Sequence, residues 1–105
     1  MNHNQKILEI KDNYERKGFQ CQREFKIWRQ DKNRWSKIDL CCFHARQNPR
    51  CFEVETNNQV LSNQEDLRIV KRTLGAKTCQ LNINDNLSKC NIKRINNFNR
   101  LRRRF

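Results

Sequence analysis

No stretch of this chain approaches the roughly 18 consecutive apolar residues of a membrane-spanning helix, and Met1 is not followed by a hydrophobic leader segment. A soluble intracellular protein, cytoplasmic or nucleoid-associated and without a membrane partner, is the expectation. The six cysteines include no Cys-x-x-Cys pair, and neither His3 nor His44 stands at zinc-ligand spacing from them. Neither a zinc site nor a disulfide framework has support in that pattern. Cys21, Cys41, Cys42, Cys51 and Cys79 fall in strand-like runs and read as small buried hydrophobes in a reducing compartment. Linkers, internal repeats and low-complexity tracts are missing as well, and 105 residues leave room for one modest core.

Acidic residues are scarce: 11 Asp and Glu stand against 23 Lys and Arg, a net charge of +12. Such an excess calls for a polyanionic partner, and nucleic acid is favoured, DNA ahead of RNA. An acidic protein is a weaker alternative and a membrane surface the weakest. Residues 86–105 hold no acid and seven basic side chains: Lys89, Lys93, Arg94, Arg100, Arg102, Arg103 and Arg104. Ile92, Ile95, Phe98, Leu101 and Phe105 form an apolar stripe through them, so this segment reads as a basic terminal helix, following a core domain over residues 1–85.

Apolar periodicity divides that core into elements. Ile7, Ile10 and Tyr14, with Leu8 beside them, recur at helical spacing and Gly18 follows, predicting a helix over residues 4–17. Phe19, Cys21, Phe25 and Ile27 share one parity, predicting a strand over 19–29 that turns through Asp31-Lys32-Asn33 into a second over 35–44. Arg46-Gln47-Asn48-Pro49 is a turn, and residues 50–56 are a third strand. Ser62-Asn63-Gln64-Glu65 has capping-box form, ahead of Leu67, Val70 and Leu74 on one face of a helix that stops at Gly75. Alternation at Cys79, Leu81 and Ile83 gives a fourth strand over 77–83. The fold class is α/β (α+β), in the order αβββαβ, with the terminal helix added.

Three carboxylates lie within the apolar strands. Asp39 sits between Ile38 and Leu40, and Glu53 and Glu55 share the parity opposite Phe52 and Val54. A carboxylate inside an apolar strand is costly to bury unless it is paired or binds a metal. Here acids are the scarce charge, yet three occur in those strands. That combination outlines a divalent-ion site.

The element order, with Asp on the second strand and Glu-x-acid on the third, resembles the core of the PD-(D/E)XK nuclease superfamily, the restriction-endonuclease-like fold that includes archaeal Holliday junction resolvases. The resemblance covers residues 4–83. It implies phosphodiester hydrolysis in DNA with Mg²⁺, or Mn²⁺, held by Asp39 and Glu53. Glu9, or less favourably Glu15, matches the additional acid that many members carry on the opening helix. Ile38 replaces the usual proline, and Glu55 stands where the motif has lysine, which makes it a further metal ligand or a base for the attacking water. Lys37, two residues before Asp39 and so on its face, is the candidate replacement cation; Lys71 and Gln64 on the next helix are weaker ones.

Other residues have two readings each. The three acids could instead lie on a solvent-facing sheet surface, paired with the abundant Lys and Arg. Trp28 and Trp35 flank a basic turn with Arg29 and Arg34, so they are candidates either to stack on nucleic-acid bases or to pack across a hairpin. His44 reads as a surface histidine rather than a general base, and Glu65 and Asp66 as acids favouring a helix dipole. A non-catalytic nucleic-acid-binding module that keeps the nuclease fold is the main rival function, and an adaptor for an acidic partner the third. Cutting both strands at once takes two sites, which makes a homodimer the candidate assembly.

Overall fold

Asn2 and Gln5 start the first helix, α1 (His3–Arg16), as a capping box: each side chain accepts the other's backbone N–H at 2.8 Å, so two free donors are satisfied. The helix ends at Lys17, and Gly18 carries the chain away at φ +90°, a conformation glycine adopts without cost. The chain is described here from a computed structural model over residues 1–56 and 64–90. Three strands follow, β1 (Gln20–Arg29), β2 (Arg34–Phe43) and β3 (Arg50–Glu55), then helix α2 (Gln64–Leu74) and strand β4 (Lys77–Asn82). They form a small α+β fold. Its mixed four-stranded sheet has the order β1-β2-β3-β4, antiparallel except for β4, which runs parallel to β3 after the α2 crossover.

Alternate residues of one strand serve opposite faces of the sheet. On one face Ile7 and Ile10 of α1 pack with Leu40, Cys42, Phe52, Val54, Cys79 and Leu81. On the other, Leu67 and Val70 of α2 pack with Ile27, Ile38, Cys41 and Cys51. Leu74, expected on the buried stripe of α2, is exposed. The shared parity in β1 does not mean one face either. Cys21 packs with the α1 cluster but Phe25 and Ile27 with the α2 cluster, and β2 switches likewise between Leu40 and Ile38. Both switches occur at one level, where Glu24 has φ +52° and leaves Asp39 without a ladder partner across the pair. The register is the same on both sides, so neither strand has gained a residue; the break re-aims the side chains of both strands together.

The cysteines depart most from expectation. Cys21 is bonded to Cys42 across the β1–β2 ladder, and Cys79 to Cys90, while Cys41 and Cys51 remain buried thiols. Cys-x-x-Cys spacing is no guide to a cross-strand bond, because its partners are brought together by sheet register. No helix among the described residues is long and apolar enough to cross a membrane. Ser62 of the expected capping box and the terminal stripe from Ile92 to Phe105, with Lys93, Arg94, Arg100, Arg102, Arg103 and Arg104, lie outside the described residues.

Candidate active site

The β2–β3 ladder is short. It joins Leu40 to Phe52, Cys41 to Cys51 and Cys42 to Arg50 and then stops, although β3 continues to pair with β4 as far as Glu55 and Asn82. At the point where the strands part, side chains replace the missing backbone partners. Asp39 Oδ2 accepts from the Val54 N–H at 2.8 Å, and Glu53 Oε1 accepts from the Asp39 N–H at 3.2 Å. Two carboxylates from neighbouring strands are thereby drawn together at a fork in the sheet.

Their surroundings differ from those of an ordinary ion pair. Glu53 is 2% exposed, and among the described residues neither Glu53 nor Asp39 is bridged by a lysine or arginine. Burial first, and the adjacent Asp39 carboxylate second, push the Glu53 carboxyl up to about 9. Both act in the same direction, since low dielectric and a like charge each disfavour the ionised form. The group that approaches is His3, whose Nε2 lies 3.2 Å from Asp39 Oδ2. No sequence signal within 36 positions of Asp39 points to it; only the docking of α1 brings it there.

Several expected participants stand elsewhere. Glu9 is on an exposed face of α1 and pairs with Lys6 at 3.5 Å, and Glu15 pairs with Lys11, so α1 supplies His3 instead of an acid. Lys37 is 58% exposed with its ammonium 4.0 Å from Glu24 on β1. That pairing draws it across the ladder to β1, and among the described residues no ion pair joins it to Asp39. Glu55 is partly buried at the end of β3. Lys71 and Gln64, in contrast, line a shallow cavity of about 270 Å³ between α2 and β4, together with Arg68, Thr78 and Gln80. Gln80 is the register partner of Glu53, and its side-chain nitrogen is buried without a hydrogen-bond acceptor among the described residues.

Arg29 requires the clearest correction. It is 4% exposed, with Nη1 2.6 Å from Asp66 Oδ1 and Nε and Nη2 at 2.9 and 2.6 Å from the two Asp31 oxygens. Hydrogen bonds to Asp31, then to Asp66, raise its already high pKa further and hold Asp31 down at about 2. Ser36 Oγ donates to the remaining Asp66 oxygen at 2.8 Å. Asp66 is therefore a buried partner of the hairpin and more than a dipole acid, and Arg29 is a structural residue rather than a phosphate contact. Arg34 is exposed at the hairpin tip, and Lys89 pairs with Asp85 at 3.0 Å. His44 is half-buried, its ring tilted against Phe19 with centroids 5.0 Å apart and its Nδ1 accepting the Arg46 N–H at 3.0 Å.

Two carboxylates suit Mg²⁺ or Mn²⁺, ions that keep several waters and take one or two protein carboxylates. The orientation of both acids by backbone N–H groups leaves their other oxygens for a ligand. Among the described residues, no group of three or more His, Cys, Asp or Glu side chains is placed to hold a metal. Comparison with known proteins finds no match to any family model, curated protein or solved structure.

Proposed function

We propose that this protein is a metal-dependent endonuclease of the PD-(D/E)XK type acting on DNA, with Asp39 and Glu53 as its metal-holding acids. The observation that carries the reading is the convergence of these two acids at the β2–β3 fork, one of them buried and held neutral at pH 7, with no lysine or arginine among the described residues to balance them. Groups kept in such a costly state recur at functional sites. The α1β1β2β3α2β4 order is the second support.

When bound, Mg²⁺ or Mn²⁺ would supply a water of lowered pKa and a charge to offset that growing on the phosphate. Asp39 and Glu53 would hold it, and a cation at the fork restores the ionised form of Glu53. Lys71, on the α2 wall of the cavity that includes Gln80, replaces the motif lysine better than Lys37 does. His3 orients the Asp39 carboxylate. A second copy would be needed to cut both strands together, and the site of action would be intracellular, cytoplasmic or nucleoid-associated, where DNA is, a location against which the two disulfides count.

One observation favours the non-catalytic module. Each carboxylate already accepts a backbone N–H that the parted ladder leaves free, which is a structural task sufficient to place an acid there. Nicking of supercoiled plasmid with Mg²⁺, Mn²⁺ or EDTA separates the two. Metal-dependent nicking lost in Asp39→Asn supports the nuclease; DNA binding without nicking in any metal supports the module.

A further inference from the structure

The outer end of the β1–β2 hairpin has one covered face and one open face. Phe25, Ile27, Ser36 and Ile38 turn toward α2, with Arg29 locked to Asp66. The alternate residues turn away, and they are not the polar set that a solvent-facing strand normally carries. Trp28 stands directly opposite Trp35, with rings 5.4 Å apart at 72°, yet 43% and 62% of these residues remain exposed. The next outward pair is Lys26 opposite Lys37, both exposed. Like charges directly across a ladder destabilise it, and large exposed aromatics mark contact surfaces. Mutual packing of the tryptophans explains their contact but not their exposure, and of the two lysines Lys37 has an exposed carboxylate, Glu24, 4.0 Å away.

We infer that Trp28 and Trp35, with Lys26 and Lys37 behind them, form a platform for nucleic acid with unpaired bases. The indole faces take bases and the lysines take the adjoining phosphates, the combination that single-strand binders use. Bases stacked inside a duplex offer no free face to an indole, so the preference is for single-stranded segments. Asp39 lies four residues beyond Trp35 on the same strand, about 13 Å away at strand rise. The inference rests on the nucleic-acid part of the proposed function and names its substrate class, a strand with unpaired bases near the cleavage point.

Trp28 and Trp35 are the protein's only tryptophans, so intrinsic fluorescence reports the platform alone. The test titrates the full chain, in EDTA, with a single-stranded dT oligomer, the matching oligo-U and a duplex of equal length. The expected result is strong quenching by the single strands and little by the duplex. Trp35→Leu should weaken single-strand binding about fivefold to a hundredfold, from the usual effect of removing one stacked ring, and Lys26→Gln with Lys37→Gln should reduce its salt dependence. A circular dichroism melt of each variant checks that it is folded; both tryptophans are exposed, and Trp28→Leu provides a second variant. Unquenched binding of single strands, or unchanged affinity in the folded variants, overturns the platform and leaves the nuclease reading intact. Binding of none of the three probes overturns both. The dT and oligo-U arms decide between DNA and RNA.

Discussion

Arg29 and Glu53 are equally hidden beside the same sheet, at 4% and 2% exposure, yet their surroundings are opposite. The guanidinium of Arg29 is shared by Asp31 and Asp66, and Ser36 completes Asp66. The buried guanidinium has an acid on each side and both Asp66 oxygens have donors, so this group fastens the hairpin to α2. Glu53 faces another carboxylate and a histidine-bound one at that, with no lysine or arginine among the described residues to balance it. Burial of an ionisable group is thus common to both places. Whether its partners are complete distinguishes a structural fastening from a group held ready for a ligand.

Breaking the complete network should have the largest effect. Arg29→Met leaves Asp66 buried and unpaired and should cost about 3–5 kcal/mol in urea unfolding. The double variant Arg29→Met with Asp66→Leu should recover most of that, because an apolar pair of similar volume is tolerated where a lone charge is not. If the double variant is as unstable as the single, the network is not the closed unit described.

Asp39→Asn is next. It should lower metal-dependent plasmid nicking by about a hundredfold or more, the scale on which removal of one acid–base or charged group acts, with duplex binding kept or strengthened as repulsion of phosphate falls. Retained nicking would assign Asp39 to the structural column beside Arg29.

A smaller effect is expected from Glu53→Gln, measured by urea midpoints in EDTA at pH 5, 7 and 9. The folded pKa of about 9 lies above the ordinary 4.5, so the folded protein retains a proton that the unfolded chain releases. Stability then falls as pH rises through that interval. Gln mimics the neutral carboxyl, and its advantage over Glu should be absent below pH 4.5 and reach about 1 kcal/mol or more by pH 8. A variant equally affected at every pH would show that Glu53 is not held neutral. The smallest change concerns Lys37→Ala, whose exposed ion pair with Glu24 is worth a few tenths of a kcal/mol; nicking should change less than with Lys71→Ala. The reverse order would return the motif lysine's role to β2.

Most of the element order was legible because helical and strand periodicities are local. The run from Ile7 to Tyr14 gives α1, and Cys79 and Leu81 give β4. Asp39 and Glu53 were also legible, since a carboxylate among apolar strand residues stands out in a chain so poor in acids. Lys37 and Glu9 were misplaced for a geometric reason. Parity and helix phase place a side chain on a face but not its partner, and here Lys37 is taken by Glu24 across the ladder and Glu9 by Lys6 along the helix. Arg29 misled because it stands beside a turn that also carries Lys32 and Arg34, and of its two acid partners Asp31 is close in sequence but Asp66, which buries it, lies 37 residues away.

By itself the sequence determined the secondary structure, the excess of positive charge and the presence of acids in apolar strands, all consequences of residue type at short spacing. Tertiary structure decided the rest. It chose which cysteines bond, brought His3 rather than Glu9 to Asp39, buried Arg29 and exposed two tryptophans, because each outcome depends on register and packing between segments that meet only once the sheet is assembled.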